Sequence, residues 1–153
     1  MTEKLTNNSL RTAVFAGSFN PFTVGHASIV ERGLNIFDRI IVAIGVNADK
    51  PESDVTRLED KLRKLYQKCP RVKVMTWKGL MVDLARKENA AFFLRGVRNV
   101  ADFEYERNMA DINKRLSGIE TVLLFALPDH AAITSSVVRE LESYGADITS
   151  LVP

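Results

Sequence analysis

Five short apolar runs, each followed by a stretch whose apolar residues recur at helical spacing, constrain this chain more than any other feature. The runs are Thr12–Ala16 (TAVFA), Ile40–Val46 (IIVAIGV), Val72–Thr76, Ala91–Leu94 and Thr121–Leu127 (TVLLFAL). Runs this apolar, without a polar residue at every second position, suit strands buried on both faces, as in a parallel sheet covered by helices. Between the first two, Ile29, Val30, Gly33, Leu34 and Phe37 share one face of a helix that Thr23 is placed to cap. After a polar loop over 47–55, Leu58, Leu62 and Leu65 form a similar stripe in a helix expected to begin at Thr56, where Thr56-x-x-Glu59 matches a capping box. Further helices are expected at 80–87 and about 100–116. A last one begins near Ser135, with Val137, Val138 and Leu141 on one side.

The alternation predicts an α/β fold: a doubly wound, Rossmann-like, five-stranded parallel sheet. Right-handed crossovers order its strands 3-2-1-4-5. With 153 residues, 46% of them apolar, the chain is long enough for one core and shows no repeat or linker, so residues 11–153 read as one domain. The polar stretch 1–10 (MTEKLTNNSL) reads as a leader without the apolar centre of a secretion signal. Lys plus Arg at 21 against Asp plus Glu at 19 gives a charge of +2, which excludes a polybasic nucleic-acid coat. No apolar run approaches the roughly 20 residues of a membrane helix. Cys69 is the only cysteine, so neither an intramolecular disulfide nor a CxxC metal site is open to the chain, and a reducing, cytoplasmic setting fits.

In the expected strand order, winding reverses between the first and fourth strands. Ligands of open α/β sheets bind beyond the strand ends at such a reversal. The chain's most unusual segments follow those two strands: GSFNPFTVGH from Gly17 to His26, and RGVRNVADFEYE from Arg95 to Glu106. Gly17 permits close approach to the backbone, and Ser18 offers a hydroxyl. Gly25 and His26 fall in a first helical turn, where free amides and the dipole favour a phosphate. Arg95 and Arg98 bring guanidinium forks suited to phosphate. Asp102 and Glu106 share a face of the next helix, and Ser135 and Ser136 open the last one. Taken singly, the residues from Gly17 to His26 read more readily as a turn and a capped helix, and Ser135 and Ser136 as a cap, whereas the placement of Arg95 and Arg98 favours function. Neither GxGxxG nor the P-loop pattern is present.

TVGH (Thr23–His26) resembles the (H/T)-x-G-H signature of the nucleotidyltransferase superfamily, and GSFNP resembles its companion at the end of the first strand. RGVRNVADFEYE resembles the RGLR-x-x-x-DFEYE segment of bacterial phosphopantetheine adenylyltransferases, and ITSS (Ile133–Ser136) resembles their ISSS segment. These motifs, in order and at family spacing, cover the chain from about Arg11 to Pro153. The resemblance implies an enzyme that transfers the adenylyl group of ATP to 4′-phosphopantetheine, giving dephospho-coenzyme A and pyrophosphate. Displacement at the α-phosphorus would be direct, with Mg²⁺ on the triphosphate and a homohexameric assembly.

The resemblance also implies residue roles. His26 stabilises the transition state, with Ser18 and Lys50 beside it. The ATP site comprises Ser18, Phe19, His26, Gly96, Val97, Arg98 and Glu106, joined by His130, Ala131, Ala132, Ile133, Thr134, Ser135 and Ser136. Ser18, Lys50, Met81 and Arg95 contact the acceptor, and no residue is assigned to a metal. Three departures stand out: Ser18 for the family Thr, Asn20 for Asp, and Thr134 for the first Ser of ISSS. Asn20 removes a charge, and the chain stops at Pro153, short of a further helix expected to be peripheral to the motifs. Nicotinamide-mononucleotide adenylyltransferases and cytidylyltransferases share the (H/T)-x-G-H element and remain alternatives, as does a non-catalytic nucleotide-binding module. The DFEYE helix and the Lys50 loop favour the pantetheine enzyme.

Overall fold

A computed structural model describes residues 10–153. The expected polar leader lies outside them except for Leu10. In chain order the elements are β1 (Thr12–Gly17), α1 (Val24–Gly33), β2 (Arg39–Gly45), α2 (Glu52–Leu65), β3 (Val72–Trp77), α3 (Met81–Lys87), β4 (Phe92–Val97), α4 (Val100–Ser117), β5 (Glu120–Phe125) and α5 (Ser135–Ser143). The strands form one parallel sheet in the order β3-β2-β1-β4-β5, as the alternation of elements predicts.

The sheet's centre is fully buried, with Val14, Ile40, Ile41, Val42, Ala43, Ile44 and Leu94 all at 0% exposure. On one face Phe15, Val42 and Ile44 cluster with Ile29, Val30 and Phe37 of the α1 region and with Leu62 of α2. On the other, Val14, Ile41, Ala43 and Phe93 cluster with Val82, Leu84 and Ala85 of α3. Truncating a side chain such as Leu62 to alanine costs about 2–5 kcal/mol at sites of this kind. Gly33 lets α1 lie directly on the sheet, since a Cβ there would sit 2.6 Å from Leu94 Cδ2 and 2.9 Å from Ile40 Cδ1.

Several expectations need correction. Helix α2 starts at Glu52, not Thr56: Pro51 stands at its N-cap, acidic Glu52 and Asp54 occupy the dipole-favoured first turn, and the Thr56 hydroxyl donates to Glu52 O at 3.0 Å within the helix. The earlier start adds Val55 to the buried face beside Leu62, Leu58 is half-buried, and Leu65 is exposed. On α5 only Val138 is buried, while Val137 and Leu141 are exposed. β5 ends at Phe125, and β4 runs on through Arg95, Gly96 and Val97, with Arg95 in register with Leu123. The first arginine of the RGVR segment therefore projects from a strand held on both sides.

Candidate active site

The crevice opens where β1 and β4 end, at the reversal of winding. A first cavity of about 430 Å³ is enclosed by the loop after β1, the start of α1, the end of β4 and the segment leading into α5. A second, of about 380 Å³, continues from it between α3 and α4, past Met81, Met109 and Asn113. The two share Ala16, Gly17, Arg95, Tyr105 and Glu106.

The β1–α1 loop is shaped by packing. Phe19 adopts left-handed backbone (φ 48°), which costs a non-glycine residue on the order of 1–2 kcal/mol. Its ring, 3% exposed, sits 5.4 Å from Phe15 and 5.1 Å from both Phe22 and His26, and this burial offsets the strain. A Cβ on Gly17 would meet the Phe19 ring at 2.8 Å, so glycine is required there. The Asn20–Pro21 peptide is cis.

Thr23 and His26 form a reciprocal cap at the start of α1. The Thr23 amide donates to His26 Nδ1 at 2.9 Å, and the His26 amide donates to Thr23 Oγ1 at 3.3 Å. Because Nδ1 accepts from a backbone N–H, the proton of the neutral ring resides on Nε2. Burial, reinforced by the charges of Arg95 and Arg98, lowers the ring's pKa from 6.5 to about 4. At neutral pH His26 is thus an uncharged Nε2–H donor on the cavity wall. One expectation is modified: the first-turn amides are not all free, since Val24 N–H donates to Leu151 O at 2.9 Å and that of His26 is capped.

The two arginines are oriented by carboxylates one helical turn apart on α4. Arg95 Nε lies 2.9 and 3.0 Å from the Glu106 oxygens, its Nη2 donates to Oε1 at 2.8 Å, and its Nη1 donates to Ala16 O. Arg98 Nε and Nη2 reach Asp102 at 2.8 and 3.1 Å, and this bonding holds the Asp102 carboxyl below its usual range. Each pair is close to neutral, with its guanidinium held in place before any ligand arrives.

Three donors fasten carbonyls of the β1–α1 loop. Lys50 Nζ donates to Ser18 O at 2.7 Å, Ser135 Oγ donates to Pro21 O at 2.9 Å, and Arg139 Nη1 donates to Asn20 O. Burial holds the Lys50 ammonium below the usual lysine range; Asp54 acts against this and Arg139 with it.

Comparison with known proteins decides the family. The profile of the cytidylyltransferase-like family matches residues 14–141. Phosphopantetheine adenylyltransferase of Bacteroides thetaiotaomicron is 46% identical over 145 residues, 94% of this chain and 96% of that protein. The protein of the same name from Porphyromonas gingivalis is 48% identical over 142 residues, 92% of this chain and 93% of its own. The chain belongs to the phosphopantetheine adenylyltransferase family. Among solved structures, a bifunctional NMN adenylyltransferase/ADP ribose pyrophosphatase from Francisella tularensis, complexed with AMP and a Mn ion, superposes with a TM-score of 0.66 at 13% identity. The match covers 94% of this chain and 44% of that one, and it extends the likeness of fold alone.

Most residues that the family motifs single out meet at the crevice. Ser18, Phe19, His26, Gly96, Arg98, His130, Ile133, Thr134, Ser135 and Ser136 line the first cavity, Met81 lines the second, and Arg95 and Glu106 line both. Lys50 stands outside both linings and reaches the site through Ser18 O. Val97 faces the core at 3% exposure, and its carbonyl accepts from Ala126 N at 2.8 Å. Ala131 and Ala132 lie in the turn before α5, away from the cavity wall. Thr134 caps α5, its Oγ1 accepting from Val137 N at 3.0 Å. His130 Nδ1 is shut off from solvent and has no hydrogen-bond partner among the described residues.

Sequence reasoning missed Tyr105, Met109, Asn113 and Arg139. For Met109 and Asn113 a signal existed, since they continue the Glu106 face at i+3 and i+7. Arg139 carried none, because its partners are a backbone carbonyl and a serine hydroxyl. Among the described residues no cluster of three His, Cys, Asp or Glu side chains is gathered to hold a metal. The cavity carboxylates Glu106 and Asp102 are committed to arginines. No helix among the described residues is long and apolar enough to cross a membrane.

Proposed function

We propose that this protein transfers the adenylyl group of ATP to 4′-phosphopantetheine, releasing pyrophosphate and forming dephospho-coenzyme A. The observation that carries the reading is the pair of cavities meeting at Arg95: one of mixed lining, with His26, Arg98, Ser135 and Ser136 at the starts of α1 and α5, and one between α3 and α4 that exposes mostly apolar surface. The first suits a nucleoside triphosphate and the second an extended arm with few charges. The name shared by relatives across nearly the whole chain supplies the acceptor.

An oxygen of the acceptor phosphate attacks the α-phosphorus in line, and the bond to the bridging oxygen of the leaving pyrophosphate breaks. A phosphate is already a competent nucleophile, so the protein's work is positioning and charge stabilisation. His26 donates from Nε2 to an α-phosphate oxygen, and its neutrality lets it do so without changing protonation state. Ser18 and Lys50 flank the meeting point of the two phosphates, Arg98, Ser135 and Ser136 hold the leaving group, and Arg95 sits on the acceptor side. Glu106 acts through Arg95. Bound Mg²⁺ would offset charge on the triphosphate; the cavity carboxylates Glu106 and Asp102 are committed to Arg95 and Arg98, so it would come with the nucleotide and not from a protein carboxylate cluster. Residues 11–153 would act as one nucleotidyltransferase domain in the cytoplasm. Apolar side chains left exposed on α4 and β5, among them Val100, Ile112, Leu116 and Phe125, support packing of further copies into the homohexamer that the resemblance implies.

Pyrophosphate release from ATP tests the reaction, with 4′-phosphopantetheine, pantetheine and nicotinamide mononucleotide as acceptors. Turnover is expected with the first alone. Unphosphorylated pantetheine offers only an alcohol, and no base stands ready to activate it. Replacing ATP by CTP should lower kcat/KM by roughly 10²–10⁴, because the smaller ring leaves polar groups unpaired. A preference for CTP or for nicotinamide mononucleotide would replace this reading with another superfamily activity.

A further inference from the structure

Arg139, on α5, stands three residues beyond the ITSS segment and joins two parts of the crevice. Its Nη1 donates to Asn20 O, and its Nη2 donates to Ser136 Oγ at 3.2 Å. Ser136 belongs to the phosphate cradle at the start of α5, and Asn20 to the loop that carries Ser18. One residue along from Asn20, Pro21 O is held by Ser135 Oγ, so α5 grips the loop at consecutive carbonyls. Lys50 holds the same loop from the other side, through Ser18 O.

We propose that Arg139 is a positioning residue for the transfer reaction, locking the Ser18-bearing loop to the Ser136 cradle so that the two substrates' phosphates are presented in line. The inference rests on the proposed reaction and assigns a residue that acts through others. Its guanidinium is suited to the task because one planar fork spans two acceptors at a fixed separation, which an ammonium cannot do. Position 20 carries an amide side chain and no carboxylate, so the guanidinium meets the backbone there without a competing counter-ion from that residue.

The test uses Arg139→Met, Arg139→Lys and Ser136→Ala in the full chain. Misplacement of reacting groups by about 1 Å can cost on the order of 10² in rate, so Arg139→Met should lower kcat by roughly 10- to 100-fold and leave both KM values within a few-fold. Arg139→Lys should recover part of the loss. Ser136→Ala combined with Arg139→Lys should lose less than the product of the single losses, as expected for residues acting as a unit. Hydrogen exchange provides a readout independent of the reaction: the amides of Phe19, Phe22 and Thr23 should exchange faster in the variants. Unchanged kcat, or a raised KM for ATP at full kcat, would overturn the assignment, the latter by making Arg139 a direct nucleotide ligand. Unchanged loop exchange would overturn it too, even if wild-type protein turned out to use another acceptor. Should Arg139→Met fail to fold, Arg139→Lys and the double variant still decide. Absence of wild-type turnover with 4′-phosphopantetheine is a separate result, counting against the reaction and not against the clamp.

Discussion

The backbone amide of Thr23 donates to Nδ1 of His26 at 2.9 Å, and this bond determines which ring nitrogen carries the proton toward the crevice. The donor is main chain, so the tautomer survives changes to the Thr23 side chain. Thr23→Ala should cost about 1 kcal/mol of stability through loss of the cap to the His26 amide, and leave kcat nearly intact. Thermal unfolding and steady-state kinetics on the same preparation separate the two effects. His26→Ala should lower kcat by on the order of 10²–10³ with ATP affinity within several-fold. Near-normal turnover in that variant would return His26 to a capping role.

The depressed pKa of His26 has a pH signature. The unfolded chain takes up a proton near pH 6.5, but the folded one resists until about 4. Between those values the unfolded state binds more protons, so the contribution of His26 to stability falls as pH drops through this window and is constant above it. The Tm difference between wild type and His26→Gln should therefore be flat above about pH 6.5 and shift against the wild type below it. Measuring Tm for both proteins from pH 8 to 4 checks this.

Lys50 and Glu106 should separate kinetically. Lys50→Ala removes the cation beside the proposed acceptor phosphate and should raise the acceptor's KM, or lower kcat, more than it affects ATP. Glu106, 8% exposed at its side chain, is the counter-ion of an arginine shared by both cavities, so Glu106→Ala should weaken both substrates. It should also destabilise the fold by about 3–5 kcal/mol, or somewhat less where water reaches Arg95, because a partly buried charge is left unpaired. Varying each substrate in turn, alongside a denaturation curve, reads both outcomes.

Gly33→Ala tests the seating of α1. Its Cβ would arrive 2.6 Å from Leu94 Cδ2, so either the helix or the β4 core must shift. Overpacking of this kind costs about 1–3 kcal/mol. For a protein of this size that lowers Tm by roughly 2–4 °C per kcal/mol. An unchanged Tm would mean the α1–sheet contact is looser than described.

The sheet was legible in the sequence because its strands are buried on both faces, which leaves a continuous apolar run such as Ile40–Ile44, and because right-handed crossovers leave few strand orders. The reversal of winding then points to Gly17–His26 and Arg95–Glu106 from the sequence alone. Local chemistry was less decisive where two signals competed. Thr56-x-x-Glu59 matched a capping box, but Pro51 and the acidic first turn of α2 start the helix earlier. What the chain alone determined was therefore periodicity and the identity of the motif residues, both properties of near neighbours. Tertiary structure decided the rest: which nitrogen of His26 is protonated, that Glu106 faces Arg95, that Leu151 and Arg139 fasten the loop and helix of the site, and that the pocket continues to Asn113. Those contacts join residues far apart in sequence, several of them through backbone carbonyls that every residue possesses, so no side-chain pattern announces them until the chain is folded.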